Sequence, residues 1–112
     1  MRILSSGALL AGVLLALCLA TAARAAGDVA TGRGMARQCA VCHGLDGAAK
    51  RPDVPNIGGE SDIYLKSQLE AFRSGARHHE QMTIIAQGLT DEDIAHLIAW
   101  YSAIEMTVKM PE

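Results

Sequence analysis

Two thiols and an imidazole stand within five consecutive residues, Cys39-Ala40-Val41-Cys42-His43, in a chain with little else from which to build an interior. Between Ala26 and Glu112 these two cysteines are the only ones, and their spacing offers no disulfide framework to staple a fold. The same 87 residues hold four aromatic side chains, Tyr64, Phe72, Trp100 and Tyr101. A domain below about 90 residues buries a modest share of its surface, and needs either many large apolar side chains or a core that is not protein. Here the aliphatic set (among it Ile57, Leu65, Leu69, Ile94, Leu97 and Ile98) is spread over short segments joined by glycine-rich stretches. A non-protein group is therefore expected at the centre.

The first 25 residues belong to a different problem. Arg2 opens a short basic segment, Ala8 to Ala20 is uncharged and apolar, and Ala23-Arg24-Ala25 places small residues where a signal peptidase reads. Residues 1–25 are expected to be a cleaved signal peptide, residues 26–112 the single domain, and the periplasm its destination. A retained anchor is the weaker reading, since thirteen apolar residues at about 1.5 Å rise cover about 20 Å of a roughly 30 Å hydrocarbon layer. A lipoprotein built on Cys18 is weaker still, because Leu17 is not small. The remaining domain carries 8 basic and 12 acidic side chains, a net charge of −4, with no transmembrane segment expected. Without a run of Lys or Arg and with so few aromatics, it lacks the electrostatic footprint and stacking platforms of a nucleic-acid binder.

Periodicity and capping residues predict an all-α domain. Asp28 is a candidate N-cap for a first helix reaching Gln38 or Cys39. His43 to Glu60 holds four glycines and two prolines and reads as an irregular loop. Ser61 then caps a second helix with Leu65, Leu69 and Phe72 on one face and Gly75 as its stop. Thr83 to Ala86 is expected to form a single turn. Thr90-Asp91-Glu92-Asp93 is the strongest start signal in the chain, a hydroxyl cap followed by acids that suit the positive end of a helix dipole. Beyond it Ile94, Leu97, Ile98 and Tyr101 share one face, which leaves His96 pointing to water.

The pentapeptide carries the chemistry. C-x-x-C-H is the attachment sequence for c-type haem: two thiols on one helical turn reach the two vinyl groups of a porphyrin, and the next residue offers its imidazole to the iron. A thioredoxin-like dithiol uses the same C-x-x-C, but at the end of a strand in a βαβ unit, and no strand is predicted here. A structural zinc site needs four ligands, and no second cysteine pair exists. One covalent haem c is the expected cofactor.

With these residues in place, the domain resembles a class I cytochrome c. The likeness runs from Gly27-Asp28 through C-A-V-C-H-G, P-N-I-G-G, the Y-L-x-x-Q-L-x-x-F-R-x-G-x-R stretch and Met82 to L-T-D-E-D-I-A-H-L-I-A-W-Y. It is similar to the single-haem units of bacterial two-haem cytochromes and of the haem subunit of flavocytochrome c sulfide dehydrogenase. The resemblance implies three main helices around the haem, thioethers at Cys39 and Cys42, and His43 and a methionine as axial ligands. It favours Met82, in the connection before the last helix, over Met35 on the first helix and Met106 and Met110 on the tail. His78 and His79 share that connection and read as solvated neighbours of Glu80 and Gln81. By the same resemblance the carbonyl of Pro55 receives the imidazole proton of His43, and Gly32 and Ala36 let the last helix cross the first. Tyr64, Arg73 and Arg77 are candidates for the haem propionates, with surface solvation an equal account of the arginines.

A haem closed on both sides by side chains has no open position for a substrate, so one-electron transfer at the haem edge near Cys39 and Cys42 is the expected chemistry, not catalysis. Two arrangements share that site: a soluble shuttle, or the haem subunit of a dehydrogenase. Either works with redox partner proteins, a donor dehydrogenase or flavoprotein and an acceptor oxidase or other cytochrome. The rival is a haem enzyme or gas sensor with a labile sixth site.

Overall fold

The computed structural model describes residues 26–112, so the expected signal peptide lies outside the described residues. Five helices follow in order: α1 Val29–Met35, α2 Ala40–His43, α3 Asp62–Ser74, α4 Glu80–Gln87 and α5 Asp91–Ser102, with no strand among the described residues. Local chemistry sets most of their ends. The Asp28 carboxylate accepts the Thr31 N–H at 2.6 Å, and Ser61 Oγ accepts the Tyr64 N–H at 3.2 Å. Thr90 and Asp93 exchange bonds in a reciprocal capping box at the start of α5. Gly75, at φ 83°, closes α3 in the left-handed conformation that other residues adopt at a cost.

Two boundaries differ from expectation. The first helix does not run unbroken to Cys39. Gln38 and Cys39 donate to carbonyls three residues back, a tightened turn, and the α-helical pattern resumes as α2. The stretch around Met82 is not a loop ending in one turn but an eight-residue helix that starts at Glu80, because His79 caps it. Met82 thus lies in the first turn of α4.

The core is one cluster of Ala36, Leu65, Ile94, Leu97, Ile98 and Tyr101, with Met35, Leu69 and Leu89 packed against it. α1 crosses α5, while α3 packs against both α4 and α5. At the α1–α5 crossing the backbones nearly touch: a Cβ on Gly32 would overlap the His96 carbonyl oxygen and lie 3.0 Å from Trp100 Cβ. The crossing also corrects the reading of His96. Its side chain is only 18% exposed, and its Nδ1 accepts the Asp28 N–H at 2.8 Å. The start of α1 covers the flank of α5 that the helical wheel left to water.

Candidate haem site

A cavity of about 470 Å³ opens between α2, α3, α4 and α5, within the usual span of about 300–1,000 Å³ for cofactor sites. Most of its wall is apolar, from Leu65, Leu69, Phe72, Ile85, Leu97 and Ile98. Cys39, Cys42 and His43 reach it from α2 and its N-cap, and Met82 from α4.

His43 is the last residue of α2 and is buried. Its Nδ1 lies 2.9 Å from the Pro55 carbonyl oxygen. A carbonyl can only accept, so Nδ1 carries a proton, and in the neutral ring Nε2 then holds the lone pair. The loop that brings Pro55 back is tied at several points. Lys50 N–H donates to the Cys42 carbonyl at 2.9 Å, and Ile57 N–H to the Gly47 carbonyl at 2.8 Å. Two aromatic side chains of α5 hold the residues just after His43: Tyr101 donates its hydroxyl to the Gly44 carbonyl at 3.0 Å, and Trp100 Nε1 donates to Leu45 at 2.8 Å. Neither anchor was identified from sequence. The signal was the amphipathic character of the two rings, since a buried Tyr or Trp needs a partner for its polar tip.

The cysteines are poorly suited to dithiol chemistry. Burial pushes the Cys39 thiol up to about 11, whereas a reactive dithiol depends on a lowered value. Nor do three or more His, Cys, Asp or Glu side chains converge on a metal-ion site among the described residues, as zinc would require.

The methionines separate cleanly. Met82 is half-buried and lines the cavity. Met35 packs against the core, while Met106 and Met110 are 50% and 75% exposed on the tail. Of the two histidines before α4, His78 is exposed and does not line the cavity. His79 does line it, and its Nδ1 accepts the Gln81 and Met82 N–H groups. Tyr64 and Arg77 also border the cavity; Arg77 lies 4.5 Å over the Phe72 ring and donates to Gln68 Oε1 at 2.6 Å. Arg73 does not belong with them. It donates to the Leu89 carbonyl at 3.1 Å and pairs with Asp91 at 2.6 Å, clamping α3 to the start of α5. It is not among the residues that line the cavity.

Two thiols on one turn, an imidazole with a free Nε2, a thioether and an apolar wall are the donor set that covalent haem requires. The sequence model of cytochrome c matches residues 29–103. The chain belongs to the cytochrome c family. Its cofactor is covalently bound haem c, whose attachment motif Cys39 and Cys42 fit, with His43 directly after them. Cytochrome c-554(548) of Halomonas halodenitrificans is 46% identical over 83 residues, which cover 71% of this chain and 100% of that protein. Cytochrome c4 of Pseudomonas aeruginosa is 36% identical over 104 residues, 93% of this chain and 52% of that one. The crystal structure of reduced recombinant cytochrome c4 from Pseudomonas stutzeri superposes with a TM-score of 0.68 at 30% identity, covering 74% of this chain and 48% of that one. This cytochrome therefore has the class I fold and spans about half the length of the cytochrome c4 relatives. No helix among its described residues is long and apolar enough to cross a membrane.

Proposed function

We propose that this cytochrome is a periplasmic carrier of single electrons, exported with loss of residues 1–25, in which Cys39 and Cys42 hold the haem and His43 and Met82 are its axial ligands. One observation carries the reading. A buried imidazole with its Nδ1 committed to Pro55, and therefore with a bare Nε2, shares an apolar cavity with a single thioether, Met82. When bound, the haem supplies a one-electron couple. The protein does the rest. The Pro55 carbonyl fixes the orientation and tautomer of His43 and raises its basicity. The soft, weakly donating Met82 thioether and the surrounding aliphatic wall favour the less charged, reduced state. Tyr64 and Arg77, which border the cavity, would donate to the propionates, Arg77 by releasing Gln68. Redox proteins are the partners, whether the chain works as a shuttle or as the haem subunit of a dehydrogenase.

The visible spectrum of the oxidised, haem-loaded protein tests the ligand pair. It should show a low-spin haem with the weak long-wavelength band of a thioether bound to iron, inert to carbon monoxide when reduced. Met82→Ala should lose the band and bind carbon monoxide. A parent protein that is high-spin and binds carbon monoxide would instead be the enzyme or gas sensor with an open sixth site.

A further inference from the structure

α4 has eight residues, too few to persist as an isolated helix in water. Its first turn is held by an uncommon cap. His79 Nδ1 accepts the backbone N–H groups of Gln81 and Met82, each at 3.3 Å. In return the His79 N–H donates to Thr83 Oγ1 at 2.9 Å, and the Thr83 N–H donates to the His79 carbonyl at 2.9 Å. Thr83 is buried, so this bond is shielded from water. A ring nitrogen that accepts N–H groups is unprotonated, which puts the proton of the neutral ring on Nε2. Four hydrogen bonds thus bracket residue 82, and one of them ends on its own peptide N–H. Among the described helices α4 packs only against α3, with Thr83 and Ala86 buried, and this bracket is a local restraint on its first turn.

We propose that His79 is a positioning residue for Met82: with Thr83 it fixes the turn that presents the thioether to the cavity, and so sets how firmly Met82 resists displacement. The proposal rests on the reading of Met82 as an axial ligand. A competing ligand must break the iron–sulfur bond and also pull Met82 away from a capped turn. Without the cap, the second cost falls.

The test is an imidazole titration of the oxidised, haem-loaded full chain, following loss of the thioether-to-iron band. His79→Ala should reach half-displacement at about one-fifth of the parent's imidazole concentration, the equilibrium worth of a helix cap. His79→Asn, whose side-chain carbonyl can accept the same N–H groups, should restore the parent's value. Thr83→Val should shift the titration in the same direction as His79→Ala, and it decides the matter if His79→Ala does not accumulate. Thr90→Ala removes a cap elsewhere, and should lower the unfolding midpoint without moving the titration. A His79→Ala protein that titrates like its parent, or a His79→Asn protein that titrates like His79→Ala, overturns the proposal. Met82→Leu tells the two failures apart. If it lacks the band, ligation by Met82 stands and any failure belongs to His79; if it keeps the band, both readings fall.

Discussion

Gly32 and Gly34 lie two residues apart on α1, and the same substitution at each should change stability in opposite directions. Gly34 is exposed, and a Cβ there meets nothing within 4 Å. Alanine at that position should gain about 1 kcal/mol from helix propensity alone. Gly32 is buried against α5, where the same Cβ would overlap the His96 carbonyl oxygen and lie 2.8 Å from its carbon and 3.0 Å from Trp100 Cβ. Most of these atoms are backbone, so no rotamer change makes room, and the helices must part by roughly 1.5 Å at the His96 carbonyl oxygen to restore ordinary contact beyond 3.4 Å. Overpacking of this kind costs about 1–3 kcal/mol, and a backbone obstacle belongs at the top of that range. After the propensity gain, Gly32→Ala should lose about 2 kcal/mol. For a domain of this size that lowers the thermal midpoint by about 8–16 °C, while Gly34→Ala raises it by about 4–8 °C. Circular dichroism of the haem-loaded variants measures both. A Gly32→Ala protein as stable as Gly34→Ala would show that the two helices do not meet at this glycine.

Three further outcomes follow from the same geometry. Tyr101→Phe should cost about 1 kcal/mol in denaturant unfolding, because the Gly44 carbonyl loses its buried hydroxyl donor and keeps only the Gly47 N–H. Stability should fall below about pH 4. Hydrogen bonds from Thr31 hold the Asp28 carboxyl, and those from Thr90 the Asp93 carboxyl, below the ordinary 3.8. A depressed folded value means that their contribution is present above 3.8 and lost as pH falls through the folded value, so Asp93→Asn should flatten the acid limb of a midpoint-against-pH series. Finally, on the proposed ligation by Met82, heating the oxidised protein should abolish the thioether-to-iron band at a lower temperature than it abolishes helical circular dichroism; coincident transitions would contradict the unequal anchoring of the two proposed ligands.

What could be read from the chain alone was what its neighbours in sequence decide. Asp28, Ser61 and Thr90 cap helices through groups three residues away, and Gly75 stops one by its own backbone freedom. The pentapeptide is likewise local, since its chemistry needs only five positions in order. The start of α4 escaped because histidine is not among the usual caps, although its Nδ1 can accept as a carboxylate does. The place of His96 escaped for a different reason. A helical wheel gives the direction of a side chain about its own axis, but not which other element lies there, and the partner of His96 is 68 residues away. Separations of 55 and 57 residues hid the bonds of Trp100 and Tyr101 in the same way. Arg73 was drawn toward the site by a sequence pattern and toward Asp91 by the packing of α3 on α5.

These anchors are distributed unequally, and the inequality suits the proposed arrangement, in which the carrier holds its haem firmly on the His43 side and takes a weaker ligand, Met82, on the other. On the His43 side the attachment segment is fastened by Pro55 through the imidazole, by Lys50 through the Cys42 carbonyl, and by Trp100 and Tyr101 through Leu45 and Gly44. The last two come from α5, whose own crossing with α1 is set by Gly32 and by the bond from Asp28 to His96. Displacing His43 therefore means disturbing the core. On the Met82 side, one short helix rests on α3, and its first turn is closed by His79 and Thr83. A thioether is a weak donor, so the few bonds that place it are a large share of what keeps it in the cavity. Opening at α4 leaves the buried cluster of Ala36, Leu65, Ile94, Leu97, Ile98 and Tyr101 intact, because none of its members belongs to that helix. Local release of Met82 is then separable from unfolding, as expected where few buried contacts hold a segment to the rest.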